Sequence, residues 1–408
     1  MAAQVTAEKL TYIDVFAGCG GQSVGFFNSG RWQGLFAIEV DADAFSTLKH
    51  NLVDSRPHFA AWPRWLPQTS HDINAVVSTC RTALQALSGT VDLVAGGPPC
   101  QGFSVAGRRR EHDERNGLVH SYLQFIDLIR PRAILFENVK GFGIGFLQHD
   151  KSRGKPYSQI VLDGLRELGY EDATFKVVDF SDLGVPQRRE RFIIVATLAG
   201  NAENFFGKLE AQASRFLQNR GLCSPITVRQ AISDLERRYG TIQSPDSKGF
   251  LAGTYRKGHV SRYQQLLRPK TIDDAAIPDS HRFARHSEQT ARKYRDIVAR
   301  RLSPSGIRKA HPTRKSCTIL LNGDAVGPTL TTLPDDFIHY SEPRILSTRE
   351  YARLQSFPDW FEFKGAYTTG GSERRPHRSG SARAGAPRQA RRAECRIARP
   401  APRYHTPR

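Results

Sequence analysis

The chain has 408 residues and a formal net charge of +19, with 39% hydrophobic and 24% charged residues. This length accommodates two domains, and the composition is that of a soluble globular protein with no apolar run near the roughly 20 residues of a membrane span. The opening MAAQVTAEKLTY lacks a basic flank followed by an apolar core, and six scattered cysteines without paired spacing argue against a zinc site or a disulfide framework; both features suit a reducing cytoplasm.

In chain order, Leu10–Phe16 (LTYIDVF) reads as a first buried strand. It runs into the glycine-rich turn AGCGGQSVGF, which opens a helix near Gln22. Leu35–Val40 reads as a second strand carrying Glu39 near its end, and the following helix over 41–51 takes Asp41 as its N-cap. After a proline-bearing connection, His71-Asp72-Ile73 reads as the end of a third strand. Val91–Ala95 is the fourth and Ala133–Glu137 the fifth, with helical apolar spacing over Leu118–Ile129 between them. A helix over Ser158–Leu168 and strands at Ala173–Val178 and Arg191–Thr197 close the region.

This alternation predicts an α/β domain over 1–198, with a parallel or mostly parallel sheet between helices. Residues 199–365 read as a second, smaller and irregular domain rich in arginine, with an orderly helix over 344–358 capped by Ser347 and Glu350. Residues 366–408 form a basic low-complexity tail. From Arg374 to Arg408 there are 11 arginines and one acid, Glu394, a net of +10, which leaves +9 for the first 373 residues. A basic body of that kind fits a polyanionic partner, DNA or RNA, against the blander reading of a solvated charged surface.

Four constellations carry chemistry. In DVFAGCGG, Gly18, Gly20 and Gly21 between a strand and a helix let backbone approach a ligand. Glu39 can take ribose hydroxyls and Asp72 an exocyclic amine, which together describe an adenosine-type cofactor. Ser23 stands where a dinucleotide fingerprint needs its third glycine, which weakens a nicotinamide reading. In GPPCQGFS, Cys100 follows Pro98 and Pro99 at a strand end, a candidate nucleophile that competes with a small buried thiol. In FENVKG, Glu137 at the neighbouring strand end is a candidate acid or base-ring partner, against a carboxylate that merely caps the next turn. In QRRER, Gln187, Arg189 and Arg191 precede a strand, where they orient a ring or phosphate or else form a charged strand edge.

Taken in order, DVFAGCGG, GPPCQGFS, FENVKG, QRRERFI and REYARLQSFPDWF resemble the motifs of the DNA (cytosine-5)-methyltransferases, in the bacterial restriction-modification style, from about Ile13 to Phe363. The resemblance implies a Rossmann-like S-adenosylmethionine-dependent sheet with a DNA-recognition domain beside it. It assigns Cys100 as the thiolate that adds to carbon 6 of a flipped cytosine, Glu137 to N3 and the exocyclic amine, and Arg189 to the O2 edge, with Gln187 and Arg191 in support. It assigns the S-adenosylmethionine site to Phe16, Gly18, Gly20, Gly21, Glu39, Asp72, Ile73 and Pro98. The loop Val105–Gly117 becomes a segment that closes over DNA, and Thr329–Pro334 the end of a DNA-facing surface. Double-stranded DNA is the implied partner, with a cognate endonuclease on the same site, no membrane and a monomeric chain.

The chain departs from that family after FPDWFEFKG. A motif of the Gly-Asn-x-Val-Pro-Pro type and a closing helix are expected there, whereas of the 35 residues from Arg374, 23 are Arg, Ala or Pro and none is Leu, Val, Phe, Met or Trp. Such a segment cannot bury enough apolar surface to fold. A basic DNA-binding tail competes with an out-of-frame translation begun near residues 372–375. The rival functions are therefore a catalytically impaired DNA-binding remnant, a tRNA cytosine methyltransferase, and a nicotinamide-dependent dehydrogenase resting on the glycine turn alone.

Overall fold

The computed structural model describes residues 8–99, 117–144, 156–269, 276–312, 318–331 and 336–365. The chain divides into two compact units. One runs through Val178 and takes up again at Glu190–Ala211; the other comprises Asp179–Arg189 and the chain from Gln212. Among the described residues no helix is long and apolar enough to cross a membrane.

The first unit is built on β1 (Leu10–Val15), α1 (Gly21–Ser29), β2 (Trp32–Ile38), α2 (Ala42–Lys49), α3 (Ile73–Thr79), α4 (Arg81–Gln85), β3 (Leu93–Gly96), α5 (Gly117–Ile129), β4 (Ala133–Val139), α6 (Tyr157–Glu167), β5 (Thr174–Asp179) and β6 (Glu190–Thr197). The strands form one six-stranded sheet in the order β2-β1-β3-β4-β6-β5. β1 pairs in parallel with β2 and β3, and β3 with β4. β6 lies antiparallel to β4, with Glu137 opposite Ile193 and Val139 opposite Arg191. A parallel return needs a crossover of a dozen or more residues. Only the short stretch from Phe180 to Arg189 links β5 to β6, so the direction reverses there.

The strand expected at His71–Ile73 is not one. Asp72 is the N-cap of α3, its carboxylate accepting from Asn74 N at 2.8 Å and Ala75 N at 3.3 Å. The apolar positions Ile73, Val76 and Val77 recur at helical spacing, and that period with an aspartate cap outweighs the three-residue β reading. The sheet therefore has six described strands where the sequence suggested seven. Its core is an apolar cluster in which Ile13, Val94, Ile134, Phe136 and Ile194 from the strands meet Leu84, Phe125 and Leu165 from the helices, each at 0% exposure. Burying each such side chain contributes about 1.5–3 kcal/mol.

The region beyond 199 is less irregular than its polar composition suggests. α7 (Glu203–Gln218) opens it. Short elements follow: α8 (Val228–Ile232), β7 (Thr241–Gln243), β8 (Leu251–Gly253), α9 (Arg262–Leu267), α10 (Glu288–Ala299), α11 (Pro304–Ala310), β9 (Ile319–Leu320), β10 (Phe337–Ile338) and α12 (Thr348–Leu354). α8, α9 and α12 begin with capping boxes at Thr227/Gln230, Ser261/Gln264 and Ser347/Glu350, which is how elements this short hold their first turns. The apolar clusters here are small, and the centre is ionic. Arg353 is fully buried, with its Nε at 2.6 Å from Asp359 Oδ1 and its Nη1 at 3.3 Å from Asp234 Oδ1. Arg344 forks onto Glu350 at 2.7 and 2.6 Å. Arg349 donates to the carbonyls of Asp279, Pro358 and Phe361.

Candidate active site

At the end of β1 the chain turns through two left-handed residues, Phe16 at φ 56° and Gly18 at φ 60°. A side chain placed at Gly18 would meet nothing within 4 Å, so this glycine answers to backbone conformation and leaves open space beside the turn. The turn is fastened from β2. Ala17 N donates to Ile38 O at 3.0 Å, and Gly18 N donates to Glu39 Oε2 at 2.9 Å. Glu39 is buried, and its other oxygen accepts from Asp41 N at 2.8 Å. Backbone donors on both oxygens fix this carboxylate at the end of β2.

Gly20 caps α1 without any side-chain hydrogen bond, and no acid stands in the first turn. The leading N–H groups from Gly21 onward thus favour an anion. Among the described residues Gln22 Oε1 is buried at this turn without a hydrogen-bond partner. His71 N donates to Glu39 O at 2.8 Å, which brings the start of α3, with buried Ile73, beside the Glu39 turn. Asp72 is exposed and its carboxylate is engaged as the helix cap described above. An adenosyl amino acid fits these groups: an open glycine turn, a helix N-terminus for its carboxylate, and a held acid for its ribose.

The second part of the site is where β3 ends. A Cβ on Gly96 would lie 1.8 Å from Val15 O, and one on Gly97 would lie 2.4 Å from Glu137 O. The pair is therefore glycine because three strand ends pinch together there. Asn138 Nδ2 donates to Pro98 O at 3.0 Å, and its Oδ1 accepts from Val139 N at 2.9 Å. The buried turn through Pro98 is thus tied to β4 immediately before Cys100. Cys100 itself, and the loop over 105–116, lie outside the described residues.

Glu137 stands on β4 with its side chain about one-seventh exposed, and Arg191 Nε lies 2.6 Å from its Oε1 with an almost wholly buried guanidinium. The two are diagonal partners across the β4/β6 ladder, since Glu137 faces Ile193 and Arg191 faces Val139. The contact is an ion pair, and Arg191 Nη1 donates to Glu190 O at 2.8 Å, so a buried, positioned guanidinium holds the carboxylate's charge in place. Lys140 and Glu190 form an exposed pair nearby at 2.7 Å.

Gln187 and Arg189 belong to the second unit. Gln187 is fully buried, and both ends of its amide serve backbone: Nε2 donates to Leu354 O at 3.2 Å and Oε1 accepts from Leu330 N at 3.3 Å. Arg188 N donates to Gly327 O and Thr329 Oγ1 donates to Arg188 O, at 2.8 and 2.6 Å, fastening the stretch expected to end the DNA-facing surface. Arg189 closes its own loop, its N on Asp179 Oδ1 at 3.0 Å and its carbonyl accepting from Phe180 N at 3.0 Å.

The sequence reading left Asn138 and Gly97 without a task and placed Arg191 only in support. Asn138 carried a signal, being the polar residue inside an apolar strand end. The Glu137–Arg191 pairing depends on an antiparallel register that no motif spells out.

The open parallel-rich sheet, with a glycine turn and an acid at the ends of its first two strands, is the Rossmann-like methyltransferase architecture. A family model described as C-5 cytosine-specific DNA methylase matches residues 10–374, and the chain belongs to that family as a DNA cytosine-5-methyltransferase. The match stops where the arginine-, alanine- and proline-rich composition begins. The type II methyltransferase M.XorII of Xanthomonas oryzae pv. oryzae is 28% identical over 374 residues, covering 86% of this chain and 77% of that one. M.DdeI of Desulfomicrobium norvegicum is 26% identical over 376 residues, covering 88% and 81%. The crystal structure of a protein described as a DNA modification methyltransferase encoded within an E. coli prophage has the same fold, with a TM-score of 0.57 at 23% identity over 87% of this chain and 90% of that one.

Proposed function

We propose that the protein methylates carbon 5 of a cytosine flipped out of a specific duplex DNA sequence, through a covalent bond between Cys100 Sγ and carbon 6. Carbon 5 is a poor nucleophile in the aromatic ring. Addition of the Cys100 thiolate to carbon 6 turns the ring into an enamine whose electron pair resides on carbon 5. S-adenosylmethionine, when bound, would supply the methyl group on an electrophilic sulfonium, the methyl–sulfur bond breaking to leave a neutral thioether as carbon 5 takes the methyl. Glu137 holds N3 and the exocyclic amine, so that the electron density arriving from sulfur meets a proton at N3. Loss of the carbon 5 proton then returns its electron pair to the ring and expels Sγ. The target atoms are buried in a stacked duplex, which is why the base must leave it.

The observation that carries this reading is the Glu137–Arg191 pair at 2.6 Å beside a Pro98 turn held by Asn138 at 3.0 Å. A carboxylate fixed by a buried guanidinium, next to the turn leading into a cysteine, supports base recognition coupled to nucleophilic addition. Arg189 is proposed for the O2 edge, with Arg191 acting through Glu137. Gly18, Gly20 and Gly21 are proposed to admit the methionine end of the donor, Glu39 its ribose, and Phe16, Asp72, Ile73 and Pro98 the remaining walls.

A 5-fluorocytosine duplex tests this directly, because fluorine at carbon 5 cannot leave as a proton and the adduct is trapped. With S-adenosylmethionine present, a denaturing gel is expected to show a DNA-shifted band that Cys100→Ser abolishes. Binding of the duplex without any adduct would instead mark a DNA-binding remnant. Methyl incorporation into tRNA in preference to duplex DNA would overturn both.

A further inference from the structure

The second unit carries a two-stranded ribbon whose second strand is anchored by buried Ala252 and whose first strand the core does not use. β7 (Thr241–Gln243) pairs antiparallel with β8 (Leu251–Gly253), and Thr241, Ile242 and Gln243 are all exposed, on both faces of the strand. Ile242 is 40% and Leu251 37% exposed. A lone hairpin is marginal in water, yet this one is held in shape. Phe283 N donates to Leu251 O at 2.9 Å, Gly253 N donates to His281 O at 3.3 Å, and Ala252 bridges to Arg282. Ser244 N on Phe250 O at 2.8 Å closes the ribbon at its turn.

Its charge is one-sided. From Arg237 to Lys257 there are five basic residues and one acid, Asp246, and Arg282 and Arg285 follow across the ribbon. Asp246 is engaged by the Ser244 hydroxyl within the turn. Several of the cations are pre-placed on aromatic rings. Arg282 and Arg285 flank Phe250 at 4.1 and 4.8 Å, and Arg238 and Arg256 lie against Tyr239 at 5.0 and 5.5 Å. A guanidinium stacked on a ring has lost part of its side-chain freedom, so it meets a phosphate at lower entropic cost; of the four, Arg238 is also held by Glu236 at 2.7 Å.

We propose that this ribbon is the element with which the second unit enters a groove of duplex DNA, Gln243 and Thr241 meeting base edges while Lys248, Lys257 and Arg285 sit on phosphates. The major groove admits a two-stranded ribbon, and a glutamine carboxamide pairs with the donor and acceptor of adenine there. The inference rests on the functional reading above, in that the partner is duplex DNA.

The test is equilibrium binding of the full-length chain to fluorescent duplex across a salt series, with thermal melting as the folding control. For Lys248→Gln/Lys257→Gln/Arg285→Gln, three exposed positions, the slope of log affinity against log salt is expected to fall by about 2–3, at an unchanged melting point. Lys248→Glu alone, at the exposed turn, is expected to lower it by about one. Duplexes selected from a randomised pool by Gln243→Ala are expected to lose preference at one base pair by roughly 10- to 100-fold relative to the wild type. A wild type that binds duplex with the same slope and base preference as all three variants overturns the ribbon's role. A wild type that does not bind duplex DNA at all overturns the functional reading, and the ribbon's role with it.

Discussion

The two units reach the folded state by different chemistry. The first is a sheet whose buried strand faces and helix stripes share one apolar cluster. The second has small apolar clusters around a buried ionic lattice in which Arg344, Arg349 and Arg353 are each nearly inaccessible. The difference is one of tolerance. An apolar core loses stability in proportion to what is removed, whereas a buried ion pair that loses one member strands the other.

The largest expected effect is therefore at Arg353. Replacing it with alanine leaves buried Asp234 with Arg268 alone and buried Asp359 with only the more distant Arg349 at 3.8 Å, at a cost of about 3–5 kcal/mol. Chemical denaturation followed by limited proteolysis is expected to show cleavage first in the second unit. The double exchange Arg353→Met/Asp359→Asn is expected to recover much of the loss, because one buried charge of each sign is removed while Asp234 keeps Arg268 and Arg349 keeps Asp279. If the double variant is no better than the single one, packing around the guanidinium matters more than its charge. In the first unit, Leu165→Ala is expected to cost about 2–5 kcal/mol, with the spread set by how far the surrounding apolar cluster relaxes into the space.

The same contrast explains what the sequence disclosed. Ile13, Val94 and Ile134 announced their strands because hydrophobic period alone builds that sheet. The strand expected at His71–Ile73 failed because three residues cannot separate the two periods, and Asp72 is read correctly only once Asn74 N and Ala75 N are seen to need a cap. In the second unit, REYARLQSFPDW was recognisable as a motif but its physics was not. A charged helix reads as solvated, and nothing in the spacing of Arg349, Glu350 and Arg353 says that each is fully buried against Asp279, Arg344 or Asp359. In the candidate site, the residue types of Glu39 and Glu137 were legible. The register that sets Arg191 on Glu137, and the pinch that requires Gly96 and Gly97, were not.

A smaller effect compares one device in two settings. Asp41 and Ser347 both cap helices through their side chains, but Ser347 is buried and also shares a hydrogen bond with His281 Nδ1 at 2.7 Å. Asp41→Ala is expected to cost about 1 kcal/mol, an ordinary cap. Ser347→Ala is expected to cost more, up to about 2 kcal/mol, since it also leaves a buried imidazole nitrogen unsatisfied. Equal losses in urea denaturation would show that the histidine contact adds nothing.

The gentlest perturbation is acid. His281 Nε2 faces the Leu235 carbonyl, which only accepts, so the proton sits there and Nδ1 takes the Ser347 hydroxyl. Burial, aided by Arg344, pushes this imidazole down to about 4 against the opposing pull of Glu350 and Asp234. His339, desolvated beside Arg344, is pushed down to about 3, and His286 to about 4. A histidine whose folded value lies below its unfolded one of about 6.5 binds more protons when unfolded. Its stabilising contribution is complete above pH 6.5 and declines as the pH falls toward 4 and then 3. Glu350 acts in the same direction at lower pH. Burial would raise it, but Arg344 overrides this and holds it at about 2, so its contribution is present above about 4.5 and is lost on the way down to 2. Among the described residues the first unit has one comparable group, His58, pushed by burial to about 4. Hydrogen exchange at pH 7 and pH 5, corrected for intrinsic rates, is expected to show protection falling first around 337–354, with the sheet of the first unit retained. His339→Gln is expected to narrow that gap. Parallel loss in both units would mean that these buried imidazoles titrate as freely as exposed ones.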